Sequence, residues 1–423
     1  MSSAPSSLAI ANPQDTTTTL AEIERQMQTA RDYVVSPGAL QMSAISGTPI
    51  LLMRQGGFLP PMSFEIDRIA HEQLADKTGI GQHYYRRLLS APEHVGLLKE
   101  NVNYWLQDRE IDRRFTIRTL DNRVRAVLSD IYFIIDNFPL AMTAARAAGE
   151  MSAVIQRLDL SPERFYMRIL HPEWAVRLEQ QAGAVRTISS GSLGNGIFGG
   201  ITDRQGGIAH SPDTARTVQF DEKQAPQAPG ARNLERAFEQ IALHPDWIIP
   251  GVTISNSEVG RGGLMVEPFI YQTYCTNTAF FAQAFGRVHR GAKNLEGLLS
   301  ETTKQKQADL ILSEVSDIIH GAFDPVKFRN HIEQFLGLQE LQLEDASRTV
   351  QEINRAKNIQ FTDGEIQQIM NQMIYGGDTT AWGLVNAVTA TARETQDTDR
   401  RIEIERMGGS MIEQFPRELV RVR

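Results

Sequence analysis

Glu258, Cys275, Asn277 and His289 are the residues whose types could carry a reaction, and all four fall in one stretch, Trp247 to Lys293. Glu258 could act as a general base or bind a metal, and Cys275 could attack a substrate with His289 and Asn277 beside it. Each also has a structural use. Asn256, Ser257 and Glu258 suit the backbone of a turn into Gly260, and a lone cysteine in an apolar run is commonly core filling. The same stretch places Arg261 on a glycine tip and Arg287, His289, Arg290 and Lys293 in a basic run behind Phe280, Phe281 and Phe285. Such a run could hold phosphates, or it could offset the dipole of a preceding helix.

A second group of cations lies upstream in FTIRTLDNRVRAVLS, Phe115 to Ser129, where Asp121 and Asn122 suit the positive backbone angles of a hairpin turn. Arg118, Arg123 and Arg125 sit on its strands, near Tyr104, Trp105, Phe115, Tyr132 and Phe133. Guanidinium groups interleaved with aromatic rings are what a stacked single strand of nucleic acid would need, whereas a solvated face is the common use of a charged hairpin.

The elements that must position these residues divide the chain in three. Residues 1–19 are rich in Ser, Thr, Ala and Pro with little charge and are expected to form a disordered arm. Residues 20–294 read as an α+β core of mostly antiparallel sheet with packing helices and a flexible insertion near 191–233. Within it, Leu20 to Tyr33 has helical spacing, Pro49 to Gln55 reads as a strand, and Ser63 to Leu89 reads as two helices broken at Gly79, the first capped by Ser63. The second of these helices could turn His83, Arg86 and Arg87 toward a phosphate backbone, although packing is the commoner use of such a hairpin. Pro139 to Leu158 reads as a helix, RFYMRIL and AVRTISS as strands, and Pro268 as the first residue of a buried helix. Residues 295–423 are helical and net acidic, with a capping pattern at Thr362 and Glu365.

Composition narrows the function. The net charge of −8 argues against indiscriminate polyanion binding but permits a local basic surface. One cysteine rules out an intrachain disulfide and a multi-cysteine zinc site. No apolar run is long enough to span a bilayer and no signal peptide is evident, so a cytoplasmic protein without a membrane partner is expected. HEQLA at His71 lacks the second histidine of a metalloprotease helix, and no metal is expected. GNGIFG, Gly194 to Gly199, has dinucleotide-loop spacing, but the ITDRQGG that follows cannot open the necessary helix, so no cofactor is expected.

SNSEVGRGGLMVEPFIYQTYCTN followed by RVHRG resembles the phage- and plasmid-borne proteins of the domain-of-unknown-function family 932. RTLDNRVRAVLSDIYFIIDN upstream and TAWGLVNAVT downstream extend the resemblance over most of the chain in matching order. It implies a mobile-element protein and a shared fold without a catalytic mechanism. The expected function is single-strand binding in recombination, replication or repair, similar to annealing proteins, with Arg118, Arg123, Arg125, Arg261, Arg287, His289, Arg290 and Lys293 as contacts. Two alternatives stand beside it. One is an enzyme acting on nucleic acid or nucleotide around Glu258, Cys275, Asn277 and His289; the other is a homo-oligomeric structural protein.

Overall fold

The computed structural model describes residues 13–54, 59–107, 114–181, 184–188, 247–272, 277–280, 285–288, 301–324, 326–328, 330, 332, 337–355, 360–414 and 420–422. The chain is α+β, with antiparallel pairing dominant and a helical C-terminal region. The first described element is α1 (Pro13–Thr29), which buries Thr16, so the boundary expected at residue 19 falls inside a helix.

The first sheet has six strands: β1 (Arg31–Val35), β2 (Leu40–Ile45), β3 (Thr48–Met53), β4 (Met62–Ile66), β5 (Phe115–Leu120) and β6 (Arg123–Ser129). Their order is β1-β5-β6-β4-β3-β2, with β4 and β6 parallel and every other pair antiparallel. Asp121 and Asn122 take φ of 50° and 61° at the β5–β6 turn, the left-handed conformation expected there.

Between β4 and β5 come α2 (Arg68–Lys77), α3 (Gln82–Leu89) and α4 (Val95–Leu106). Ser63 does not cap a helix, because Met62 to Glu65 pair with β3 and α2 begins only after Asp67. Gly79 supplies the positive φ that turns α2 into α3. Leu74, Leu98 and Val102 bury against Met42, Leu51, Ile117 and Val127, which sets this helical layer on the sheet. The Asn103 side chain accepts from the Met42 N–H at 2.7 Å and donates to its carbonyl at 2.9 Å, satisfying part of the β2 edge.

The helix read over 139–158 is instead α5 (Asn137–Glu150) followed by β7 (Val154–Leu160). Ser152, at φ 55°, breaks the helix before the β-branched pair Val154 and Ile155. The second sheet continues with β8 (Phe165–Leu170), β9 (Val176–Gln181), β10 (Ala184–Ile188), β11 (Trp247–Asn256), β12 (Leu264–Gln272), β13 (Asn277–Phe280) and β14 (Phe285–Val288). β11 lies between β8 and β12.

Pro268 therefore belongs to a strand and starts no helix. β14 pairs with Leu264 to Val266 and β13 with Phe269 to Gln272, so Glu267 and Pro268 fall between those two registers. A missing N–H is tolerated in such a gap. Gly251 on β11 is needed for close approach: an added Cβ would sit 2.5 Å from the Phe269 ring and 2.8 Å from the Ile169 carbonyl oxygen. Gly251→Ala is expected to lower stability by about 1–3 kcal/mol in urea titration, whereas Gly364→Ala, in the first turn of a helix with nothing within 4 Å, should leave it unchanged or raise it by up to about 1 kcal/mol.

One face of the second sheet buries Ile155, Met167, Ile169, Val252, Ile254 and Val266 under α5 and α6 (Glu301–Ala322). The C-terminal elements are β15 (Leu341–Leu343), α7 (Ala346–Arg355), α8 (Asp363–Gly376), α9 (Ala381–Glu394), α10 (Thr398–Gln414) and β16 (Val420–Val422). α8 has the expected capping box of Thr362 and Glu365. Their apolar cluster, including Trp382, Leu384, Val388, Ile404 and Met411, reaches Ile248 and Ile270 of the second sheet. Alongside that contact, α10 meets the sheet through charge: Arg168 with Glu405, Glu267 with Arg406 and Asp159 with Arg401.

Candidate nucleic-acid interface

The β5–β6 hairpin and the turn after β11 come together, as a buried network. Arg118 projects from β5 with 2% of its side chain exposed. Its Nη1 lies 2.9 Å from Asp32, and its Nη2 lies 2.5 Å from Asp136 and 3.2 Å from Glu258. Arg125, on β6, donates to Gln26 at 3.0 Å and lies 3.3 Å from Glu258. The other Glu258 oxygen accepts from the Asn137 N–H at 2.8 Å, which places a carboxylate on the positive end of α5.

Burial works against the Arg118 charge, but Glu258, Asp32 and Asp136 outweigh it and hold the guanidinium above its ordinary value. Burial lowers Arg125 despite the pull of Glu258, and burial raises Asp32 despite Arg118. Three carboxylates thus face two guanidinium groups. The cluster is net negative, and it offers a phosphate no cationic groove.

The neighbouring residues extend the join between the sheets. Asn256 donates to the Ile135 carbonyl and to the Asn137 side chain, both at 2.8 Å. Ser257 donates to the Glu163 carbonyl at 2.7 Å and accepts from the Arg261 N–H at 2.9 Å. Tyr132 donates to the Ser257 carbonyl at 2.8 Å. Val259 packs with Ile69, Ala126 and Leu128, and Gln73 bonds both its carbonyl and the Val127 N–H. The motif residues of the two segments therefore tie one sheet to the other.

The other cations expected at a site are distributed as follows. Arg123 pairs with Glu65 and Asp67, and Arg261 pairs with Glu72. Arg287 lies on β14 opposite Met265, and Asn277 lies on β13 opposite Gln272. Cys275, His289, Arg290 and Lys293 lie outside the described residues, as do the GNGIFG loop and the segment near 191–233. His71 of HEQLA is buried against the Tyr85 hydroxyl at 2.9 Å, and burial lowers it to about 4, so it is neutral at pH 7.

Exposed cations remain in the helical layer. Arg86 and Arg87, in the last turn of α3, and Arg114, at the entry to β5, are exposed and form no ion pair among the described residues. Tyr85 and Leu88 bury the inner face of α3, which leaves Tyr84 exposed beside the arginines. The helical spacing of α3 signalled Arg86 and Arg87 in the sequence. The roles of Asp32 and Asp136 had no such signal, since each meets Arg118 only through the fold.

No protein-family model matches the chain, and neither the curated proteins nor the solved structures contain a significant match. Among the described residues no helix is long and apolar enough to cross a membrane. Among the same residues no group of three or more His, Cys, Asp or Glu side chains could hold a metal ion.

Proposed function

We propose that this is a single-strand nucleic-acid-binding protein, acting in recombination, replication or repair in the manner of an annealing protein, and that its contact surface is the α3–α4 layer. The observation that carries this reading is the pair Arg86 and Arg87, exposed on one helix beside Tyr84 and engaged by no carboxylate among the described residues. An exposed cationic pair on a chain of net charge −8 gives a polyanion a local point of attraction. The motif resemblance to family 932, read from the sequence, favours a mobile-element origin. In this reading the arginine hairpin and Glu258 serve to join the sheets.

The test is a salt series of binding to labelled single-stranded and duplex DNA. Arg86→Ala with Arg87→Ala should weaken single-strand binding and flatten the dependence of log K on log salt by about 0.7 for each phosphate that is no longer neutralised. Both side chains are exposed, so thermal stability should stay within about 0.5 kcal/mol of the parent. Absence of binding by the unaltered protein at low salt would overturn the proposal.

A further inference from the structure

Helix α4 shows two different faces. Val95, Leu98, Val102 and Leu106 are buried. Leu97, Asn101, Tyr104 and Trp105 follow one another at helical spacing on another face, where Leu97 is 47%, Tyr104 71% and Trp105 41% exposed. The Tyr104 and Trp105 rings meet edge to face, with centroids 5.2 Å apart and planes at 90°. Two large rings that leave this much surface in water are costly to display, Tyr104 above all.

We infer that Tyr104 and Trp105 form a base-stacking platform that makes this surface selective for single strands over duplex. The inference rests on the proposed nucleic-acid binding and adds the source of its specificity. Charge complementarity favours this occupant: α4 packs against α3, which carries Arg86 and Arg87, unpaired among the described residues. Phosphates of a strand held by those arginines leave its bases free to reach a neighbouring aromatic surface. A duplex keeps its base faces stacked inside and can offer only phosphates to the same arginines. The perpendicular packing braces the rings while Tyr104 keeps most of its surface open.

The test uses the whole chain, an oligothymidylate of about 16 nucleotides and a duplex of the same length. Trp382 is buried and Trp174 stacks on His171, whereas Trp105 is 41% exposed, so the part of any quenching that Trp105→Phe removes is assigned to Trp105. Oligothymidylate is expected to quench tryptophan emission, and Trp105→Phe should remove the quenching while keeping most of the affinity. Tyr104→Ala and Trp105→Ala should each weaken single-strand binding about tenfold, leaving duplex affinity and the salt slope unchanged. Tyr104→Phe should bind as the parent does. Unchanged single-strand affinity in both alanine variants would overturn the platform while leaving the Arg86 and Arg87 reading intact. Equal losses for single strand and duplex would also overturn it. No single-strand binding at low salt would remove the platform and the proposed function together.

Discussion

Arg118→Ala is expected to destabilise the protein by about 3–5 kcal/mol, read as a fall in the urea midpoint at pH 7. Arg118 is nearly inaccessible and bridges Asp32 from β1, Asp136 before α5 and Glu258 from the second sheet. After its removal Asp136, at 37% exposure, can hydrate, and Asp32, at 40%, can do so in part, since burial of its carboxyl still raises its pKa. Glu258 is 3% exposed and cannot. Arg125 would remain beside it, but its own charge is already weakened by burial. The penalty is that of an undercompensated buried carboxylate, larger than the loss of one surface ion pair.

The pH dependence of that loss has a definite sign. Asp32 already has a raised folded pKa, caused by burial and opposed by Arg118. Removing Arg118 takes away the opposition, so the folded variant binds its proton more readily than the unfolded chain does. Excess protons on the native state make stability rise as pH falls. The cost of Arg118→Ala should therefore shrink as pH falls from 7 toward the ordinary carboxylate range. A cost that grows over this interval would mean that Arg118 interacts chiefly with some other group.

How much of this was legible in the sequence depended on whether the cause was local. The Asp121–Asn122 turn and the Thr362–Glu365 capping box are each decided within a few residues, and both were readable. Pro268 was misread because its place is set by two other strands, β13 and β14, which leave a gap in their pairing beside it. Ser63 was misread because a good cap residue can equally lie in a strand once β3 supplies its pairing. At the site, Arg118, Arg125 and Glu258 stood out by residue type. What they do depended on Asp32, 86 residues from Arg118, and on Glu258, 133 residues from Arg125. No periodicity reports such a distance. Aromatic exposure was equally hidden, since Tyr104 and Tyr85 look alike in sequence and lie at 71% and 1% exposure.

Glu405→Ala should have a comparably large effect where α10 docks on the second sheet. Arg168 on β8 stands opposite Thr253 on β11, and Thr253 stands opposite Glu267 on β12, so one row of side chains crosses three strands on a single face. α10 answers that row with Glu405 toward Arg168 and Arg406 toward Glu267, and Asp399 accepts from Tyr166 at 2.6 Å and from Ser161 at 2.7 Å. Arg168 and Glu405 are each 7% exposed, so removing one carboxylate leaves a guanidinium that cannot reach water, at a cost of about 3–5 kcal/mol. Burial raises Glu405 above its ordinary 4.5 even though Arg168 opposes it. A raised carboxyl pKa means that the native state holds the extra proton, so this group's contribution improves as pH falls through that raised value toward 4.5. The difference between the parent and Glu405→Gln should change with pH in that direction. If the pair fixes the docking of α10 more than it stabilises it, Arg168→Met with Glu405→Leu should return stability to within about 1 kcal/mol of the parent or above it. A double variant as unstable as Glu405→Ala alone would show that the ion pair itself, with its hydrogen bonds, holds α10 on the sheet.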